Sequence, residues 1–282
     1  MRPIPVVATI RDAYSFTLLH LGGVIGLIWV PMVLLTVMGF FSSQSYYNAT
    51  IEALASGDAA QMWFSLLMWL AYLIAALLLQ AVMFVAVTQL ALGMRSGPPW
   101  AHFAFGPAEW RMFRALLSFT GLMIPFFLFG SALLNLVVLR ASQTVPAALL
   151  IFYGLVLAAV SRFFVLLPAI SVAENGPVLR RAWMLSAGNF WRLFAVLLAI
   201  IVPIFIFVIL LMVPLAQHLP PLPAGGSQQL QQLAALTWLR QALPFLWGLL
   251  FLIWPLVMGL FASASASVWR ALKDEPVLDI AV

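Results

Sequence analysis

Residues 192–215, RLFAVLLAIIVPIFIFVILLMVPL, decide the fold class, because their only charged residue is the first one. A helix of these 24 residues is about 36 Å long at 1.5 Å per residue, which exceeds the ~30 Å hydrocarbon core of a bilayer. Such a helix has no polar face to turn toward water. The segment therefore predicts a transmembrane helix.

The whole chain shares this composition. Of its 282 residues, 65% are hydrophobic and 7% are charged, whereas soluble proteins average about 45–50% and 25%. The high apolar and low charged content excludes an ordinary soluble enzyme, a disordered chain, a coiled coil and a nucleic-acid binder. We interpret the net charge of +5 as the basic flanks of spanning helices, which face anionic lipid.

Six apolar segments account for most of the chain, so we expect a single all-α integral membrane domain over residues 1–282. Residues 42–61 are expected to form an outer loop, and residues 228–243 a short helix on the outer surface. The six predicted transmembrane helices are 21–41, 65–92, 115–139, 147–172, 192–215 and 245–269.

The distribution of Lys and Arg predicts the orientation, because cytoplasmic loops of membrane proteins are enriched in both. With the N-terminus inside, only Arg140 and Arg240 lie outside, and Arg162 lies within a span. We therefore expect both termini in the cytoplasm. The cytoplasmic set is Arg2, Arg11, Arg95, Arg111, Arg114, Arg180, Arg181, Arg192, Arg270 and Lys273.

Three segments, 5–31, 99–125 and 177–203, align without gaps on a proline at each end. Eleven positions before the second proline stands His20, Arg114 or Arg192. The alignment predicts three parallel two-helix repeats, at about 1–97, 98–176 and 177–282. The alternative is that membrane hairpins look alike because they share a solvent.

A stretch that mixes aromatic residues with polar or basic ones precedes each odd-numbered span, at 6–19, 102–114 and 178–191. This composition is typical of interfacial helices, here on the cytoplasmic side. It also fits the ordinary aromatic and basic flanks of a span. The arginines expected to meet anionic headgroups are Arg111, Arg114, Arg180, Arg181 and Arg192.

Arg162 lies inside the fourth predicted span, where an arginine costs at least about 2.5–3.5 kcal/mol. Gly154, Ala158 and Ser161 share roughly its helical face, and such small residues predict packing against other helices. Two interpretations stay open. Arg162 contacts an anion or headgroup in a cavity, or it stabilises the helix that Pro168 kinks.

Several residues are assigned to turns and packing. Glu174 is expected to pair with Arg180 or Arg181 across the turn that follows the fourth span. Gly259 and Ser263 have the spacing of small residues that let helices approach closely. The assigned set is Glu174, Pro177, Asn189, Gly259 and Ser263.

We expect no metal, no cofactor and no enzymatic activity. The chain has no Cys, and His20, His102 and His218 have no carboxylate or second His at metal-ligand spacing. Phosphate-binding loops, nucleophile elbows and HExxH motifs do not occur, and the predicted spans contain no carboxylate.

Residues 162–200, RFFVLLPAISVAENGPVLRRAWMLSAGNFWRLFAVLLAI, resemble a six-span bacterial membrane domain that is fused to some glycerophosphodiester phosphodiesterases. The resemblance implies the six-span layout and a place in a bacterial inner membrane. It implies no activity, because the catalytic domain of the fused enzymes has no counterpart here. The matching positions are Arg162, Pro168, Glu174, Gly176, Pro177, Arg180, Arg181, Gly188, Asn189, Phe190, Trp191 and Arg192.

For function, we expect a non-enzymatic lipid-interacting or accessory component of the membrane, in contact with anionic headgroups. One alternative is a transporter or exporter of a small amphiphile or anion, indicated by the repeats, the midspan prolines and Arg162. The other is a scaffold for a second membrane protein or for a homo-oligomer, indicated by the small-residue face of the sixth span.

Overall fold

The computed structural model describes residues 3–56, 60–95, 102–140, 145–217 and 228–273. Within these residues it contains nine helices and no strand. The helices are α1 (Val6–Leu19), α2 (Leu21–Ser56), α3 (Ala60–Ala91), α4 (Pro107–Arg140), α5 (Val145–Phe163), α6 (Leu167–Ala173), α7 (Val178–Ser186), α8 (Phe190–Gln217) and α9 (Gln228–Lys273).

Six helical segments are long and apolar enough to cross a bilayer. The chain is a multi-pass membrane protein, and the prediction of an all-α fold with six spans is confirmed. The spanning segments are Leu21–Ser56, Met62–Ala91, Pro107–Gly130, Val156–Ala173, Phe190–Val213 and Gln232–Lys273.

Two predicted connections are helical instead. Helix α2 continues to Ser56 through most of the expected outer loop, because neither Gly nor Pro occurs between Gly39 and Gly57 to end it. Helix α9 includes the expected surface helix and its span in one run of 46 residues, with Pro244 and Pro255 inside it. Both helices are longer than a bilayer is thick.

The fourth span is broken, although 147–172 was expected to be one helix. Helix α5 ends at Phe163 and α6 begins at Leu167. Pro168 explains the break, since it has no N–H and its ring would clash with the carbonyl four residues earlier. The first turn of α6 is capped from another helix, as the Ala169 N–H donates to Ser265 Oγ in α9 at 3.0 Å.

Two of the three expected interfacial stretches form separate helices. These are α1 and α7, whose N-caps are Pro5 and Pro177, and Gly188 with φ of 76° separates α7 from α8. The second stretch differs, because α4 begins at Pro107 and continues without a break into its span. The sequence there has no Gly between Pro107 and the body of the helix.

Contacts between helix termini define two ends of the bundle. At the end called here the basic end, Arg270 donates to the Ala91 carbonyl at 2.8 Å, and Arg111 donates to the Ser171 carbonyl at 3.0 Å. At the opposite end, called the far end, Arg240 of α9 donates to Asn48 Oδ1 of α2 at 3.1 Å. Helix α9 therefore makes hydrogen bonds at both ends of the bundle.

The small residues of α9 allow α1 to pack closely against it. Gly259 faces Thr17, and Ser263 Oγ donates to the Ala13 carbonyl at 3.2 Å. Thr17 and Ala13 are buried. Helix α1 thus packs on the bundle with one side, and its opposite side exposes Val7 and Leu18.

Candidate functional site

A groove of about 460 Å³ opens at the basic end, between the first turns of α4 and the start of α7. It brings together two of the predicted headgroup arginines, Arg111 and Arg114. None of the described residues that line it is acidic. They are Arg111, Arg114, Ala115, Ser118, Gly176, Pro177, Val178 and Leu179.

The two arginines differ in how they are held. They lie three residues apart on α4, so they share one face of the helix. Arg111 is half-buried, and its Nε donates to the Ser171 carbonyl, which leaves the outer nitrogens of the guanidinium for other acceptors. Arg114 is exposed, with its Nε 3.4 Å from the Trp110 carbonyl.

The start of α7 adds backbone donors to the groove. Its N-cap is Pro177, and no side chain caps the helix. The first N–H groups of a helix have no partner within it and carry a partial positive charge. Val178 and Leu179 supply such groups in the wall of the groove. Two guanidinium groups beside a free helix N-terminus have the chemistry of an anion site.

Arg181 is engaged elsewhere, in a cluster around Glu174. The Glu174 carboxylate accepts hydrogen bonds from Arg181 Nε at 2.9 Å, Lys273 Nζ at 3.0 Å and Trp269 Nε1 at 3.1 Å. Burial alone would raise the pKa of Glu174, but the bonds from Lys273, Trp269 and Arg181 outweigh it and hold the pKa below its usual value. The cluster joins α6, α7 and α9.

Arg192 and Arg180 are also outside the groove. Arg192 donates to Asn189 Oδ1 at 3.2 Å, and this oxygen also accepts the Ile4 N–H at 3.3 Å. The buried Asn189 thereby links the segment before α1 to the start of α8. Arg180 is exposed on α7. Of the arginines predicted to meet headgroups, only Arg111 and Arg114 line this groove.

Arg162 lies in the last turn of α5, where a cation is favourable for the helix dipole. Its guanidinium stacks over the Trp183 ring of α7, 3.5 Å from the ring centroid. Its Nε is buried and has no hydrogen-bond partner among the described residues. The cation–π contact gives Arg162 a partner in α7, beside the break in the fourth span.

We expect Arg162 and Trp183 to be energetically coupled. Arg162→Gln and Trp183→Leu should each destabilise the protein, and the double variant should lose less than the sum by about 0.5–2 kcal/mol. Unfolding in detergent micelles measures the four variants of this cycle. Strict additivity would contradict the contact.

A buried pair at the start of α4 was not predicted from the sequence. Glu109 is 4% exposed, accepts the Gly106 N–H at 2.9 Å, and lies 3.1 Å from His102 Nε2. From the sequence, His102 was considered only as a metal ligand, so this contact with a carboxylate was not predicted. An acidic residue in the first turn after Pro107 was the available signal, because a carboxylate there caps the helix and complements its dipole.

No family model, curated protein or solved structure matches this chain. Among the described residues, no group of three or more His, Asp or Glu is placed to hold a metal ion.

Proposed function

We propose that this protein binds anionic lipid headgroups at the groove of the basic end and is a non-enzymatic component of a bacterial inner membrane. The observation that carries the proposal is the convergence of Arg111, Arg114 and the uncapped start of α7 on one groove, whose described lining contains no carboxylate. A phosphate group accepts hydrogen bonds from all three.

The position of the groove supports a lipid as the source of that phosphate. Arg114 lies at the start of a span, where the headgroup layer meets the hydrocarbon. Trp110 and Leu117, on neighbouring turns, are exposed, as expected for side chains that face lipid. By the positive-inside rule the basic end faces the cytoplasm, whose leaflet carries the anionic surface.

Replacing Arg114 tests this function. We expect Arg114→Gln to retain about three- to fivefold less anionic lipid than the native protein, because one exposed charged contact is lost. Native mass spectrometry after release from vesicles of phosphatidylglycerol counts the retained lipids. We replace Arg114 and not Arg111, because Arg111 also donates to the Ser171 carbonyl and its loss would remove a contact between helices.

Arg11→Gln is the matched control, because Arg11 is exposed in α1 and does not line the groove. It should retain as much lipid as the native protein. Equal loss in both variants would mean that total charge attracts the lipid, and unchanged retention in Arg114→Gln would refute the headgroup site.

The resemblance to the membrane domain of glycerophosphodiester phosphodiesterases is part of this proposal. Its motif residues Arg162, Glu174 and Asn189 make the contacts that join α5, α6, α7, α8 and the N-terminal segment. The shared pattern is therefore best explained by a shared helix arrangement, and it carries no argument for a shared activity.

The break between α5 and α6 favours a second candidate function, transport of a small amphiphile or anion. Discontinuous helices form the substrate sites of many transporters. Against it, Phe164 in the break packs edge-to-face on Phe84 and Phe261, with ring centroids 5.6 Å and 5.4 Å apart. These rings fill the space that a water path along the break would need.

Cysteine labelling separates the two functions, because the chain contains no cysteine of its own. Ser118 lines the groove, whereas Ser161, next to Arg162, is fully buried. Headgroup binding predicts that Ser118→Cys reacts with a water-soluble maleimide and that Ser161→Cys does not. Reaction of both would favour transport.

A further inference from the structure

A second groove, of about 400 Å³, lies at the far end between α2 and α3. Its wall on α2 carries polar residues one helical turn apart, so they form a stripe on one face. The residues that line it are Phe41, Gln44, Ser45, Asn48, Ala49, Glu52, Phe64 and Ser65.

The groove crosses from hydrocarbon depth to water. Phe41 lies 20 residues after the start of α2, about 30 Å along the helix, which is the thickness of the hydrocarbon core. Glu52 lies about 16 Å further out by the same rise. Phe41 and Phe64 are both largely exposed. The groove therefore has an aromatic border near the lipid and a carboxylate outside the hydrocarbon core.

The charge in its lining is opposite in sign to that in the basic-end groove. Among the residues that the structure describes, Glu52 is the only charged one in the lining, and it makes no ion pair. Amide and hydroxyl oxygens from Gln44, Asn48 and Ser65 accompany it. A carboxylate with neutral oxygens and exposed aromatic rings is suited to an organic ammonium group. A single carboxylate is too few for a stable Ca²⁺ or Mg²⁺ site.

A positive charge stands beside the groove. Arg240 of α9 donates to Asn48 Oδ1 at 3.1 Å. Asn48 lies one helical turn before Glu52 on α2, on the side nearer the membrane. A headgroup with an ammonium and a phosphate would meet Glu52 with the first and Arg240 with the second.

We propose that the far-end groove binds an ammonium group carried next to a phosphate, as in a zwitterionic amphiphile, with Glu52 accepting the ammonium. This site is independent of the anionic-headgroup site at the basic end. The same chemistry occurs in a lipid headgroup and in a free phosphorylated amino alcohol, and the two sources are tested separately.

The test uses the full-length protein in nanodiscs of phosphatidylglycerol with a minor share of phosphatidylethanolamine. We expect native mass spectrometry to find phosphatidylethanolamine enriched on the native protein and reduced about three- to fivefold by Glu52→Gln, since one partly exposed ion pair is lost. Asp12→Asn, which removes an exposed carboxylate at the basic end, is the matched control and should change nothing.

A second arm adds soluble phosphoethanolamine to the native protein and to Glu52→Gln in phosphatidylglycerol alone. Glu52-dependent retention of phosphatidylethanolamine supports a lipid ligand. Glu52-dependent binding of phosphoethanolamine without lipid enrichment supports a soluble ligand. Absence of any dependence on Glu52 in both arms overturns the proposal. Glu52→Gln preserves side-chain size, so the fold is expected to survive.

Discussion

Glu174→Gln should lower the free energy of unfolding by about 2–3 kcal/mol, one of the two largest effects we expect from a single substitution. The carboxylate is 15% exposed and accepts bonds from Arg181, Lys273 and Trp269. A glutamine loses the charge and leaves two cations unneutralised in a partly buried place. This loss of stability is smaller than for a fully buried ion pair, because Arg181 and Lys273 are about one-third exposed.

The effect should depend on pH in a defined direction. The folded pKa of Glu174 lies below that of the unfolded chain, so its contribution is present above the ordinary glutamate pKa of about 4.3 and is lost as the pH falls through the folded value. The difference in stability between the native protein and Glu174→Gln should be full at neutral pH and should shrink in acid.

Unfolding in detergent micelles at several pH values measures this difference. Glu52→Gln is the matched control, because it makes the same change at a carboxylate without an ion pair among the described residues. It should alter stability little at any pH. A difference for Glu174→Gln that stays constant down to about pH 3 would contradict the proposed role of the charge.

Gly259→Ala should destabilise the protein by about 1–3 kcal/mol by overpacking. A Cβ atom at this position would lie 2.6 Å from Thr17 Cγ2 of α1. Thr17 is 1% exposed, and α1 is held against α9 by the Ser263 bond to Ala13, so little space is available for relief. Unfolding of the purified protein in micelles gives the magnitude.

Gly248→Ala provides the control within the same helix, because a Cβ there meets no atom within 4 Å. It should be neutral or stabilising by up to about 1 kcal/mol, from the better helix propensity of alanine. Adding Thr17→Ala to Gly259→Ala should restore part of the loss by removing the clashing methyl group. Equal effects of the two glycine substitutions would show that α1 and α9 do not pack closely.

Features that depend on local sequence were predicted well. The six spans follow from apolar runs long enough for a bilayer, and the Glu174–Arg181 contact follows from two opposite charges across a short turn. Helices at α1 and α7 were also predicted, from stretches that mix aromatic residues with polar or basic ones. The continuation of α2 through its loop was missed, since polar composition there outweighed the lack of a helix breaker.

The candidate site depended on the tertiary structure. The five arginines predicted to meet headgroups had similar sequence surroundings. Only packing placed Arg111 and Arg114 in one groove, whereas Arg181 contacts Glu174 and Arg192 contacts Asn189. The ring that Arg162 stacks on, Trp183, lies in another helix and has no signal in the sequence around Arg162.

The sequence by itself determined that this chain is a six-span membrane protein, because burial of apolar surface in a bilayer adds up residue by residue along each segment. Only the tertiary structure decided that Ser265 caps the helix after the break at Pro168, which arginines share a groove, and which grooves open at the two ends. Those features arise from pairing between distant helices, which the hydrophobicity of a single segment does not encode.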